Sequence, residues 1–273
     1  MYKNIINAIN ANVWAIIPAK MEVIMNVLLP RLDGMAKVDY EAATKQPINR
    51  TGKVVVLPIR GTMTQHGDMF SEVSGMVSTD RIGRQIEQLA DDPSVKSIIL
   101  DVDSPGGSVY GLEELTQKIR AATNKKRIIS VANSLMASAA YYTGSAASKV
   151  YAAPGSQVGS IGTIAVHVDQ SKAIEEAGLK YTFVTAGKYK ALGNSSEPLS
   201  EDAMNYYQDQ VNEYYEMFLQ AVAKNRSTTK SKVKSEYGQG KVLSAKNALS
   251  TGMIDGIRTL DDVISMETRR TRR

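Results

Sequence analysis

The chain has no cysteine, which excludes a disulfide framework, a zinc–thiolate site and a cysteine nucleophile. Histidine is nearly as scarce: His66 and His167 are the only two. A hydrolase that uses imidazole as its base therefore has two candidates here. Long apolar runs are also missing. Val13–Ile17 and Val23–Leu29 are largely apolar, but Pro18, Lys20, Glu22 and Pro30 interrupt or bound them. A membrane-spanning helix needs about 20 mostly apolar residues, so no transmembrane segment is expected. A signal peptide's basic start and small-residue cleavage site are absent as well. The first 50 residues read as an amphipathic helical arm and a polar linker, the arm docking on its own or a neighbouring subunit. Aromatics make up only 6% and form no basic, aromatic-interleaved stripe, so no nucleic acid partner is expected.

What is present is ordinary for a soluble globular chain: 273 residues, 43% hydrophobic and 22% charged. The formal net charge is +5, and Arg269, Arg270, Arg272 and Arg273 supply four of those charges. Residues 266–273 accordingly read as a solvated, disordered basic tail.

Between these ends, buried-strand runs alternate with amphipathic helices. Val54–Ile59, Ser97–Val102 and Arg127–Ala132 are short, β-branched and apolar. A helix capped at Ser78–Thr79–Asp80 places Ile82, Ile86 and Leu89 on one face and ends near Pro93. A second, over 111–122, places Leu112, Leu115 and Ile119 together. This order implies an α/β fold with mostly parallel strands and right-handed crossovers. Further strands are expected over 149–153 and 163–168, and a long helix over 200–225 with a Tyr-rich face for core or subunit contact.

Three features are candidates for chemistry, each with a structural alternative: a plain tight turn for the glycine pair, a packed small-residue helix for Ser138, and surface lysines. Gly106–Gly107 follows a strand and precedes a helix, where adjacent glycines let backbone N–H groups approach a ligand or oxyanion. Ser138 lies among Ala137, Ala139 and Ala140 near a helix start, with room for a carbonyl to reach its hydroxyl. With His66 in a loop and His167 between two valines, a lysine of lowered pKa is the alternative base. The residues themselves leave Lys188 and Lys190 as equal candidates.

Five segments resemble, in order, the signal peptide peptidase A family of Ser/Lys serine peptidases, relatives of the Clp protease subunit and the crotonases. They are Asp103–Gly107, Met136–Tyr142, Gly159–Thr163, Ala186–Lys190, and Gly240–Ala245 through Gly252–Asp255. The resemblance covers about residues 52–260 and implies a ClpP/crotonase-like fold of repeated β-β-α units, with a peptidase domain over 51–265. It implies Ser138 as acylating nucleophile, Lys190 as general base, Ser160 as the residue orienting the lysine, and the N–H groups of Gly107 and Ala139 as the oxyanion hole. No metal or organic cofactor is implied. Two positions depart from the family pattern: Ala139–Ala140 stands where glycines are common, and Ala191 where an acidic residue is common.

Val13–Pro18 further resembles the opening of the phage-encoded branch, associated with head maturation. That branch implies a polypeptide substrate, capsid or scaffold partners, a homo-oligomer, and the host cytoplasm or prohead as location. The competing readings are a peptidase that degrades signal-peptide remnants, a Ser-His-Asp peptidase using His167, a crotonase acting on acyl-CoA, and a non-catalytic assembly scaffold.

Overall fold

The computed structural model describes residues 13–22, 48–66 and 76–272. Val23–Leu29 and most of the expected linker lie outside them.

Strand β1 (Val13–Ile16) precedes a helical turn over 18–22. This departs from the helical arm expected here. Val13, Trp14 and Ile16 favour extended backbone, and Pro18, which lacks an N–H, suits a helix start. The antiparallel pair β2 (Asn49–Thr51) and β3 (Val54–Arg60) follows. Then come β4 (Met63–Thr64), β5 (Val77–Ser78) and α1 (Thr79–Asp91), whose first turn is capped by the Ser78 hydroxyl accepting from the Arg81 N–H. Next are β6 (Ser97–Ser104), β7 (Gly106–Ser108) and α2 (Leu112–Thr123). Strand β8 (Arg127–Ala137) leads through Ser138 into α3 (Ala139–Gly144). The remainder comprises β9 (Lys149–Ala152), β10 (Gln157–Gly159), β11 (Ile164–Ala165), α4 (Ser171–Glu176), α5 (Glu201–Asn225), α6 (Lys230–Glu236), β12 (Val242–Ser244), α7 (Ala245–Thr251), β13 (Gly256–Ile257) and α8 (Leu260–Arg272).

Among the described residues these strands form two sheets. The larger runs β12-β10-β8-β6-β3-β2, with β9 and β13 joined beside the first half of β8. Strands β3, β6, β8 and β10 are mutually parallel, as the alternation of strands and helices predicts. The smaller sheet runs β11-β1-β7-β4-β5. The repeating unit is a long strand in the first sheet, short strand or strands in the second, then a helix: β3-β4-β5-α1, then β6-β7-α2. The glycine pair thus belongs to a short strand of its own rather than to a turn running straight into a helix. The strand expected over 163–168 is shorter, Ile164–Ala165.

Side chains of the large sheet alternate between two cores. Val55, Leu57, Ile59, Ile98, Leu100, Val102 and Ile128 pack with Ile82 and Ile86 of α1 and Leu115 and Ile119 of α2. Val54, Val56, Ile99, Ile129 and Val131 pack on the opposite face against Val263, Leu260 and Ile264 of α8. Burial of both faces explains why these strands read as continuous apolar runs.

This also corrects the expected tail: residues 266–272 are the last turns of α8. Glu267, fully buried, accepts hydrogen bonds from Ser97 Oγ (2.9 Å), Arg127 Nε (2.9 Å) and Arg270 Nε (2.9 Å). The basic residues close the helix where its carbonyl end favours positive charge. Charge-run reasoning missed them because an apolar stripe needed to cover the sheet begins a turn earlier.

Asp255 fastens the far edge. Its carboxylate accepts from the Val150 N–H (2.9 Å), Arg226 Nη1 (2.9 Å) and Lys149 Nζ (3.1 Å), linking β9 to the end of α5. Burial acts to raise its pKa, but the Arg226, Val150 and Lys149 contacts outweigh it and hold the group below its ordinary 3.8. A depressed carboxylate stabilises the fold above the unfolded pKa and loses that contribution as pH falls through the folded value. Asp255→Asn is expected to cost about 2 kcal/mol at pH 7. In thermal unfolding, the gap between parent and variant should close as pH drops below about 4.

Candidate active site

The site forms where β8 ends. Ser138 has φ 53° and ψ −120°, an unusual backbone for a residue with a side chain. At this sharp strand-to-helix turn Ala139 is the first residue of α3, so its N–H has no acceptor within the helix. Small residues make the turn possible, since Ala137, Ala139 and Ala140 are all buried.

Two neighbouring turns enclose it. Gly159 O accepts the Ser138 N–H at 2.7 Å, and Gly162 O accepts the Ser138 hydroxyl at a long 3.4 Å. Ser160 also has positive φ, 53°, and its N–H donates to Lys241 O at 2.8 Å. The Gly159–Thr163 segment thus links the Ser138 turn to the Gly240–Ala245 segment, the fifth of the ordered sequence segments.

Strand β7 lies on the other side. A Cβ added to Gly106 would fall 2.9 Å from Ser138 Cβ and 2.2 Å from Ala15 O. One added to Gly107 would fall 1.9 Å from Met63 O. Only glycine backbone fits between the Ser138 turn, β1 and β4.

A cleft of about 490 Å³ opens beside Ser160. Ile161, Gly162, Ile164, Val211, Tyr215 and Lys234 are among its lining residues. Lys234, on α6, carried no sequence signal. It is one of three lysines in a polar helix, and only the path of the chain brings it to this wall.

Ser138, Ala139, Gly107 and Ser160 are therefore gathered in one place, and Lys190 is not. Lys190 is exposed, in the segment between α4 and α5, with its N–H closing a turn to Gly187 O at 3.1 Å. Among the described residues no hydrogen bond joins its amine to Ser138 or Ser160. Lys188 is exposed too: the Tyr189 hydroxyl, at 2.8 Å, and Asp202 raise its pKa, the opposite of what a general base needs. His66 forms a surface pair with Asp80 at 2.7 Å. The ring nitrogens of His167 are buried and have no hydrogen-bond partner among the described residues, Ser138 included.

Residues 120–271, more than half of the chain, match the model of Peptidase family S49, and the chain belongs to that family. It is 29% identical over 78% of its length to the capsid assembly protease C of Escherichia phage lambda, covering 48% of that protein. It is likewise 29% identical over 80% of its length to protease 4 of Haemophilus influenzae, covering 34% of it. The chain therefore spans about half the length, or less, of these curated relatives. A solved ClpP1 variant of Listeria monocytogenes aligns with 76% of this chain and 92% of its own, at 15% identity and a TM-score of 0.47. No helix among the described residues is long and apolar enough to cross a membrane.

Holding a serine at positive φ costs on the order of 1 kcal/mol, which glycine would not incur. Ser138→Gly should raise the melting temperature by about 2–4 °C, and Ser138→Ala should leave it unchanged. Differential scanning calorimetry of the two variants beside the parent checks this.

Proposed function

We propose that the chain is a serine endopeptidase that cleaves polypeptides through an acyl-enzyme on Ser138, with Lys190 as general base. The observation carrying this reading is the strained Ser138 turn wedged against the Gly106–Gly107 strand inside an S49 chain. The hydroxyl attacks the substrate carbonyl, and the base takes its proton and returns it to the leaving amine. The N–H groups of Gly107 and Ala139 stabilise the oxyanion, a contribution usually worth several kcal/mol. Ser160 orients the lysine amine. Water then hydrolyses the ester.

In this reading Lys190 comes from a neighbouring subunit of a homo-oligomer. Three features support that. Its segment is exposed, the cleft beside Ser160 is open, and Leu179, Tyr181, Phe183 and Val184 of the same segment are uncovered apolar side chains. Exposed apolar side chains clustered in one segment favour protein contact. The name of the lambda-phage relative favours capsid or scaffold polypeptides as substrates and partners, in a prohead or host cytoplasm. Degradation of signal-peptide remnants is the second reading, and the similarity to protease 4 supports it.

Intact-mass labelling with a fluorophosphonate should give a single adduct on the parent, absent from Ser138→Ala and Lys190→Ala. A folded, correctly oligomerised parent that stays unlabelled leaves a scaffold role or a site that needs a further partner to assemble. Mixing the two inactive variants after dissociation and reassembly tests the shared site. Random pairing restores activity at roughly one site in four, whereas a lysine acting within its own chain restores none.

A further inference from the structure

Strand β1 belongs to none of the β-β-α units, yet it is an interior strand of the smaller sheet, between β11 and β7. It is antiparallel to β7 on one side, pairing Ala15 with Gly107, and antiparallel to β11 on the other, pairing Val13 with Ala165. Without it, β7 and β11 would face each other across a slot one strand wide, with both edges unpaired. Such a slot binds an extended peptide by completing the sheet.

The register fixes how deep β1 reaches. Ile17 N–H donates to Pro105 O at 3.1 Å, and Val109 N–H to Val13 O at 3.4 Å. Opposed residues of an antiparallel pair alternate between bonded and non-bonded. Ala15 and Gly107, midway between those two bonds, are therefore a bonded pair, and the Gly107 N–H points at Ala15 O. That oxygen and Ser138 Cβ both lie within 3 Å of one point, the position a Gly106 Cβ would take (2.2 and 2.9 Å). Beyond Ala15 the chain runs into the open cleft, where Ile16 and Pro18 join Ser160 in the lining.

We propose that Val13–Ile16 is a pseudosubstrate strap: the chain's own segment fills the substrate groove, with Ala15 where the acylated residue of a substrate would be. The proposal rests on the serine peptidase reading and names both the regulation of that site and its substrate class. Ala15 is 1% exposed and packs in the main core, so the position admits only a small side chain. Trp14 and Ile16 pack instead in a separate cluster with Met21, Ile164 and Val166, so of the strap's side chains between them only the Ala15 methyl group must be drawn from the main core when it leaves. Accepted polypeptides are extended, with alanine before the cleaved bond and apolar residues on either side. The tether holds the strap at an effective concentration of about millimolar, and an incoming substrate must displace it.

The test uses the full chain as Ser138→Ala, so that binding is read without chemistry. The probe is a fluorescein-labelled heptapeptide copying residues 12–18 with phenylalanine for the tryptophan, followed by anisotropy. Weakening the strap with Trp14→Ala and Ile16→Ala should tighten peptide binding by about tenfold or more, because apparent affinity scales with the open fraction. Leucine in place of the peptide's alanine should abolish that binding. Equal affinity for strapped and weakened chains overturns the proposal. Trp14 is the chain's only tryptophan, which gives a second readout on the intact strap should the weakened variant not fold. Its emission should shift to the red as the peptide saturates the protein, and unchanged emission at saturation overturns the proposal equally. Fluorophosphonate labelling separates the two ideas. Peptide-driven strap release in a parent that never labels removes the peptidase and keeps the strap, while labelling without release does the reverse.

Discussion

The close approach of backbone to backbone at Gly106–Gly107 is the constraint on which the site depends. Three chain segments, the Ser138 turn, β1 and β4, converge on a strand that has no side chains to hold them apart. A single added methyl group at either glycine would meet backbone oxygen well inside contact distance, and backbone cannot swing aside as a side chain can. Because β7 can come this close, it lies directly against the Ser138 turn, and the strand paired with it brings the Ala15 carbonyl near Ser138.

The large sheet makes that approach reproducible. Strand β8 is buried on both faces and pairs with β6 on one side and with β9 and then β10 on the other. Its end is therefore fixed before the chain turns at Ser138, and the unfavourable backbone there is held by the sheet on one side and α3 on the other. Helix α8 contributes from a distance. By covering the second face of the sheet and placing Glu267 under Ser97 and Arg127, it fixes the starts of the two strands whose far ends build the site.

The segment from α4 to the start of α5 contrasts with this rigid frame. It carries Lys190 and several uncovered apolar side chains, and the first half of α5 buries little within the chain, with Met204 and Tyr206 exposed. The Tyr-rich face that reads in sequence as one continuous stripe divides in two: Phe218, Leu219 and Val222 enter the core, and the earlier turns do not. Periodicity reports that a face is apolar; it does not report which surface covers it.

The same division holds for the whole protein. The sequence by itself determined the α/β alternation, the cap at Ser78 and the apolar faces of α1 and α2, because each depends on local backbone preference or on side-chain spacing within one element. It also determined, through five ordered segments, the family to which the chain belongs. Only the tertiary structure decided that the basic end is a buried-face helix, that Lys234 lines the cleft, that Lys190 stands apart from Ser138, and that Val13–Ile16 enters a sheet rather than forming a helical arm. These depend on contacts between residues up to 170 positions apart, such as Ser97 with Glu267. A strand's pairing partner is set by which edge is left open in the folded sheet, and no spacing along the chain records that.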